Sequence, residues 1–174
     1  MIEIRAATAD DAEQIAKVHV AVWREAYRGV MPDAYLDGLR PEARAPAWRE
    51  QIADPEARTR TFVAERDGEV VGFFVCGPAR LPAPDDHGEM HAINILVTAQ
   101  HQGLGKRMVA ETARTLLQMG YGAMTLSVIR DNAAGRMFYE SLGGRLHGRH
   151  EDQFEGFSLP CVEYRWADLR TLAD

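Results

Sequence analysis

The chain has 174 residues, 46% of them hydrophobic, and a formal net charge of −6 at pH 7. That length suits one packed domain, expected to span 1–174, and is short for two; the acidic balance argues against a duplex nucleic-acid binder, which carries a basic face. No apolar run nears the ~20 residues that span a bilayer, the start lacks a signal-peptide layout, and Cys76 and Cys161 are too few for a disulfide framework and lack metal-ligand spacing, so a cytoplasmic protein without a metal is expected.

Residues 2–5 alternate apolar and polar, as a short strand does. Thr8-x-x-Asp11 is a capping-box variant that opens a helix, and Ile15, Val18, His19, Val22, Trp23 and Ala26 recur at helical spacing until Gly29. Met31-Pro32-Asp33 turns the chain, and a second helix is expected from Arg44 to Ile52, stopping before Asp54-Pro55. Thr61–Glu65 and Glu69–Val75 read as strands, joined at Arg66-Asp67-Gly68 by a hairpin turn. Three prolines make 78–87 a surface loop. A strand at 89–96 precedes a helix over 104–119, ended by Gly120. Then come the buried strand Thr125–Ile129, a helix over 132–142, and closing strands near 145–150 and 161–166. The pattern is α/β or α+β: a mixed sheet of about seven strands flanked by about four helices.

Between strand 89–96 and its helix stands Gln100-His101-Gln102-Gly103-Leu104-Gly105. A glycine loop delivered to a helix N-terminus offers free backbone N–H groups and the positive end of the helix dipole, a setting for phosphate or pyrophosphate. Glycine matters because a side chain there would hold the anion off the backbone. A P-loop is excluded because Gly105-Lys106 is followed by Arg107 and no glycine stands five residues before Gly105. The dinucleotide fingerprint fails too, since Met108 stands where its third glycine belongs. By spacing alone, a simple tight turn explains Gly103 and Gly105 equally well.

Downstream, Asn132-x-x-Gly135-x-x-Phe138-Tyr139-Glu140-x-Leu142-Gly143 adds a second motif, and Ile4-Arg5-x-Ala7-Thr8-x-x-Asp11 a third. Together with Gln100-x-x-Gly103-x-Gly105, in this order and spacing, they resemble the acyl-CoA-binding core of the GCN5-related N-acetyltransferase (GNAT) superfamily. The resemblance implies a sheet whose fourth and fifth strands splay apart around the pantetheine arm of acetyl-CoA. It implies acetyl transfer to a primary amine, of a small molecule or a peptide, by direct attack in a ternary complex. A catalytically silent CoA-binding sensor or interaction module of the same fold is the alternative. Only the resemblance suggests a homodimer.

Amide formation needs a deprotonated amine, a donor for the oxyanion, and a proton for the leaving thiolate. The resemblance assigns the oxyanion donor to backbone N–H groups at Ile93-Asn94-Ile95. Asn94 stands where the family often has an aromatic or small residue, and Val97 where it often has proline. Glu89 is the expected base, working through a water, because it begins the cofactor strand beside apolar residues; His91, on the same side of the strand, is the reserve. A solvated strand-end glutamate and a structural histidine are the plainer alternatives. Tyr139 is the expected acid: a phenol stays protonated at neutral pH and can pass its proton to a thiolate. Its neighbour Phe138 fits a core aromatic better. Cofactor contacts are expected from Ile93, Asn94, Ile95, Gln100, His101, Gln102, Gly103, Leu104, Gly105, Lys106, Arg107 and Asn132, the last being also a helix cap. Trp23, Tyr27, the 29–40 segment, the 78–88 loop and Phe154 to Pro160 are expected near the acceptor. An acyl-enzyme route through Cys76 or Cys161 is disfavoured, since neither has a histidine beside it in sequence to activate a thiol.

Overall fold

The computed structural model describes residues 1–174. Seven strands follow the order β1-β2-β3-β4-β5-β7-β6: β1 Ile2–Ala6, β2 Arg60–Arg66, β3 Glu69–Pro78, β4 His87–Ile95, β5 Ala123–Ile129, β6 Arg145–Phe154 and β7 Phe157–Trp166. Helices α1 Ala12–Ala26, α2 Asp33–Gly38 and α3 Pro41–Ala53 precede β2, α4 Leu104–Gln118 links β4 to β5, α5 Ala133–Ser141 follows β5, and α6 Arg170–Ala173 closes the chain. The sheet is mixed, with β4 and β5 parallel and β1–β2, β5–β7 and β6–β7 antiparallel.

The chain forms two compact units, with β3, β4 and α4 each running from one into the other. The first holds residues 1–75 and 92–108. Its core gathers Ile15 and Val18 of α1, Val63 of β2, and Val70, Phe73 and Val75 of β3, with Trp48 of α3 and Ala92 and Leu96 packed against them. The opening turn is fixed by charge. Asp11 reaches back to the Thr8 N–H at 2.7 Å, the carboxylate half of a capping box, and takes two bonds from the Arg5 guanidinium, which holds its carboxyl below the usual range. Gly72 of β3 lies so close to β4 that a Cβ there would stand 2.9 Å from Asn94 O.

The second unit holds residues 76–91 and 109–174. One face of its strands packs on helices: Gly88 lies against Leu116 of α4, and Tyr164 of β7 bonds Arg136 and Glu140 of α5. Trp166 belongs to this core at 3% exposure, its Nε1 donating to Leu142 O, and offers no surface for a second copy.

The structure extends the sequence reading in three places. Met31-Pro32-Asp33 does not simply turn: Pro32 caps α2, whose Leu36 is fully buried. Strands β6 and β7 run to Phe154 and from Phe157, joined by Glu155 and Gly156 at φ 52° and 85°. Residues Phe154–Pro160, expected near an acceptor, are therefore mostly strand. The helix count is six rather than about four, because α2 and α6 are too short to show a period.

Candidate active site

The ladder between β4 and β5 has three register pairs, His87↔Ala123, Gly88↔Met124 and Glu89↔Thr125. There it stops, although β5 continues to Ile129 against Cys161 of β7. Met90 and His91 thus have no partner on β5, which is the splaying the resemblance implied.

In the first unit, β4 ends on Ile95 and the chain turns through a short 3-10 segment, Val97–Ala99. Gln100 fastens this turn by donating from Nε2 to Ile95 O at 2.9 Å, and Gln102 does the same to Thr98 O at 3.1 Å. Both side chains are committed to the loop itself. His101 and Gly103 have φ of 57° and 76°, so the chain reaches the helix through two left-handed residues. The first backbone N–H bonded within α4 is that of Arg107, to Gly103 O. The amides of Leu104, Gly105 and Lys106 precede it and lead a 15-residue helix with its dipole behind them. Lys106 is exposed beside them. Arg107 is not turned to them: its guanidinium donates to Ile2 O at 2.9 Å. Asn94 is buried, and Ile93 and Ile95 half-buried.

In the second unit, Glu89 is 1% exposed and fully engaged. One carboxylate oxygen accepts from Arg80 Nε and Nη2 at 3.1 and 2.7 Å, and the other from the backbone N–H groups of Arg80 and Leu81 at 2.5 and 3.2 Å. The sequence expectation of a glutamate ready to take a proton meets a carboxylate already saturated with donors. The partner was invisible in sequence because Arg80 sits in a proline-rich loop without periodicity. His91 is half-buried, with Nε2 2.8 Å from Pro78 O. A carbonyl only accepts, so Nε2 carries the hydrogen. Burial, and then the Arg80 charge, hold the imidazole below its ordinary value. At neutral pH it is uncharged, with its lone pair on Nδ1.

Asn132 caps α5, its Oδ1 accepting from Gly135 N at 2.9 Å. A Cβ at position 135 would stand 2.7 Å from Asn132 Nδ2, so a larger residue there displaces the capping side chain. Tyr139 is 8% exposed, its ring 6.2 Å from Trp166 and 6.3 Å from Tyr164, whereas Phe138 is only half-buried. The tyrosine, not the phenylalanine, is the core aromatic of this helix.

Strand pairing also gives Cys161 the histidine that its sequence neighbours lack. His150 is its register partner, yet His150 Nε2 lies 2.9 Å from Ser127 Oγ. The thiol is 1% exposed, and burial pushes it above its ordinary value, the opposite of an activated thiolate.

Residues 18–144 match the Acetyltransferase (GNAT) family. The chain is 32% identical over 173 residues to the uncharacterized N-acetyltransferase YuaI of Bacillus subtilis, covering 99% of this chain and 96% of that one. It is 30% identical over 138 residues to the mycothiol acetyltransferase of Streptomyces griseus, across 79% of this chain and 40% of that protein. Its fold is shared with the PaiA N-acetyltransferase of Thermoplasma acidophilum, solved in complex with coenzyme A. The TM-score there is 0.72 at 20% identity, over 95% of this chain and 99% of that one. The chain belongs to the GNAT acetyltransferase family.

Proposed function

We propose that the chain is an acetyl-CoA-dependent N-acetyltransferase acting in the cytoplasm on a primary amine of a small molecule or peptide. One observation carries this reading: the loop from Gln100 to Gly105 leaves the Leu104, Gly105 and Lys106 amides unspent at the head of α4. Three donors on a helix N-terminus suit the diphosphate of coenzyme A. His101, Gln102 and Gly103 shape the approach to them, and Gln100 holds it to β4. Lys106 adds charge, while Arg107 acts on β1 instead of the cofactor.

The transfer proceeds by direct attack in a ternary complex. The neutral amine attacks the thioester carbonyl, forming C–N, and backbone N–H groups over Ile93–Ile95 hold the oxyanion. Collapse breaks C–S. The proton of the amine passes to His91 Nδ1, and Tyr139 gives its phenolic proton to the departing thiolate. Asn132 keeps Nδ2 as a donor for the pantetheine amide. Glu89 acts through Arg80, fixing the 80–81 backbone over the strand, and so is a positioning residue.

Calorimetry with acetyl-CoA and CoA, followed by thiol release over an amine panel, tests the proposal. Binding with turnover of at least one amine is expected. Absence of binding at millimolar acetyl-CoA rejects the enzyme, and tight binding with no acceptor turned over identifies the silent module. A dimer is checked separately by light scattering.

A further inference from the structure

We propose that His150, Asp152 and Cys161 form a binding site for one transition-metal dication, with Zn²⁺ favoured by the donor set. Antiparallel pairing brings them together. His150 stands opposite Cys161 in the β6–β7 register, and Asp152, two residues on, lies on the same face opposite Leu159. One ligand atom from each falls within 4.8 Å of the other two. Bonds of ~2.0 Å to nitrogen and oxygen and ~2.3 Å to sulfur put tetrahedral ligands ~3.3–3.5 Å apart. A closure of up to about 1.5 Å by the half-buried His150 and Asp152 side chains therefore completes the site.

A thiolate, an imidazole and a carboxylate do not suit Mg²⁺ or Ca²⁺, which take oxygen ligands. They suit Zn²⁺ and its neighbours in the first transition row. Ser127 Oγ, 2.9 Å from His150 Nε2 and bonded also to the Cys161 thiol, ties the imidazole to the thiol. Three protein ligands leave a fourth position for water or an exogenous donor. The acetyl-transfer chemistry proposed above uses no metal, and the site stands independently of it.

Co²⁺, a spectroscopic stand-in for Zn²⁺, tests the proposal on the untagged full-length chain after EDTA treatment and desalting. One equivalent should bind with tetrahedral visible bands and a near-ultraviolet thiolate-to-cobalt charge-transfer band. Zn²⁺ should bleach both by displacement. Cys161→Ser should abolish the charge-transfer band, and Cys76→Ser should leave it intact. Asp152→Asn and His150→Gln should each weaken Co²⁺ binding by about tenfold or more. If Cys161→Ser fails to fold, as judged by circular dichroism in EDTA, the two half-buried positions carry the test. No charge-transfer band at millimolar Co²⁺, a band retained in folded Cys161→Ser, or full affinity in both His150→Gln and Asp152→Asn overturns the proposal.

Discussion

Arg80→Ala separates the two roles open to Glu89. The Glu89 side chain is 1% exposed and that of Arg80 60% exposed. In the variant the carboxylate keeps the Arg80 and Leu81 backbone N–H groups and loses the guanidinium bonds at 2.7 and 3.1 Å. Removing one partner of a buried ion pair costs ~3–5 kcal/mol when the remaining charge is left bare. Here half the donors stay, and water can enter where an exposed guanidinium stood. A cost of about 2 kcal/mol follows, inside the ~1.5–3 kcal/mol range for hydrogen bonds to charged groups. For a chain of this length that lowers Tm by ~4–8 °C. Urea unfolding of wild type, Arg80→Ala, Glu89→Gln and the double variant gives the coupling directly. A loss below ~0.5 kcal/mol in Arg80→Ala would place the pair among weak surface ion pairs and refute the clamp. The kinetics decide the chemistry. With Glu89 as a positioning residue, Glu89→Gln keeps an acid limb in its pH–rate profile. A fall of ~10²–10⁴ in kcat with loss of that limb would make Glu89 the base after all.

The limb itself should move in opposite directions in the two variants. The Arg80 charge lowers the His91 pKa and the Glu89 charge raises it, so Arg80→Ala shifts the limb up in pH and Glu89→Gln shifts it down. Stability carries the same signature. The folded-state value lies below the ordinary 6.5, so the unfolded chain binds more protons as pH falls below 6.5; stability drops through that window, and His91→Gln should flatten the slope of urea midpoints against pH. Tyr139→Phe should lower kcat more than it raises the KM for acetyl-CoA; an unchanged kcat removes Tyr139 from the chemistry. Asn132→Ala should cost ~1 kcal/mol as a lost cap, whereas Asn132→Asp keeps the cap and loses the Nδ2 donor. Asn132→Asp should therefore fold normally but bind acetyl-CoA more weakly, and equal affinity would leave Asn132 a cap alone. Gly72→Ala sets a Cβ 2.9 Å from both Asn94 O and Met108 Cε. The methionine can yield but the β4 backbone cannot, so a loss of ~1–3 kcal/mol is expected in urea unfolding.

What was legible in the sequence is what short-range pattern encodes. Asp67 and Gly68 have φ of 54° and 84°, as the hairpin reading of Arg66-Asp67-Gly68 required. The Thr8–Asp11 box and the Gly120 stop, at φ 95°, likewise follow from local chemistry. The loop at 100–105 was found because its glycines and helix start are contiguous. The partners of the site residues were not legible, because each lies across a strand or loop. Nothing near Glu89 in sequence announces Arg80, and nothing near Cys161 announces His150, eleven positions away and opposite it in register. Reading Phe138 as the better core aromatic than Tyr139 failed for a related reason. Residues one apart on a helix face differently, and the side occupied by Tyr164 and Trp166 is set by β7, not by α5.

The end of the β4–β5 ladder explains why a carboxylate would be buried where a proton acceptor seemed natural. Past Glu89↔Thr125, Met90 and His91 lack the β5 hydrogen bonds that hold a parallel pair in register. Here the replacement is the end of β3 and the loop that follows it: Glu89 accepts the Arg80 and Leu81 amides, His91 Nε2 donates to Pro78 O, and Arg80 Nη2 reaches His91 O at 3.3 Å. These attachments over residues 89–91 take the place of the missing ladder. A break in the β4–β5 ladder thus creates its own need for a clamp, and a carboxylate at the last paired position is too costly to bury without donors. Glu89 meets that need as an anion saturated with donors; in the proposed transfer the neutral, carbonyl-pinned His91 is then the proton acceptor on this strand.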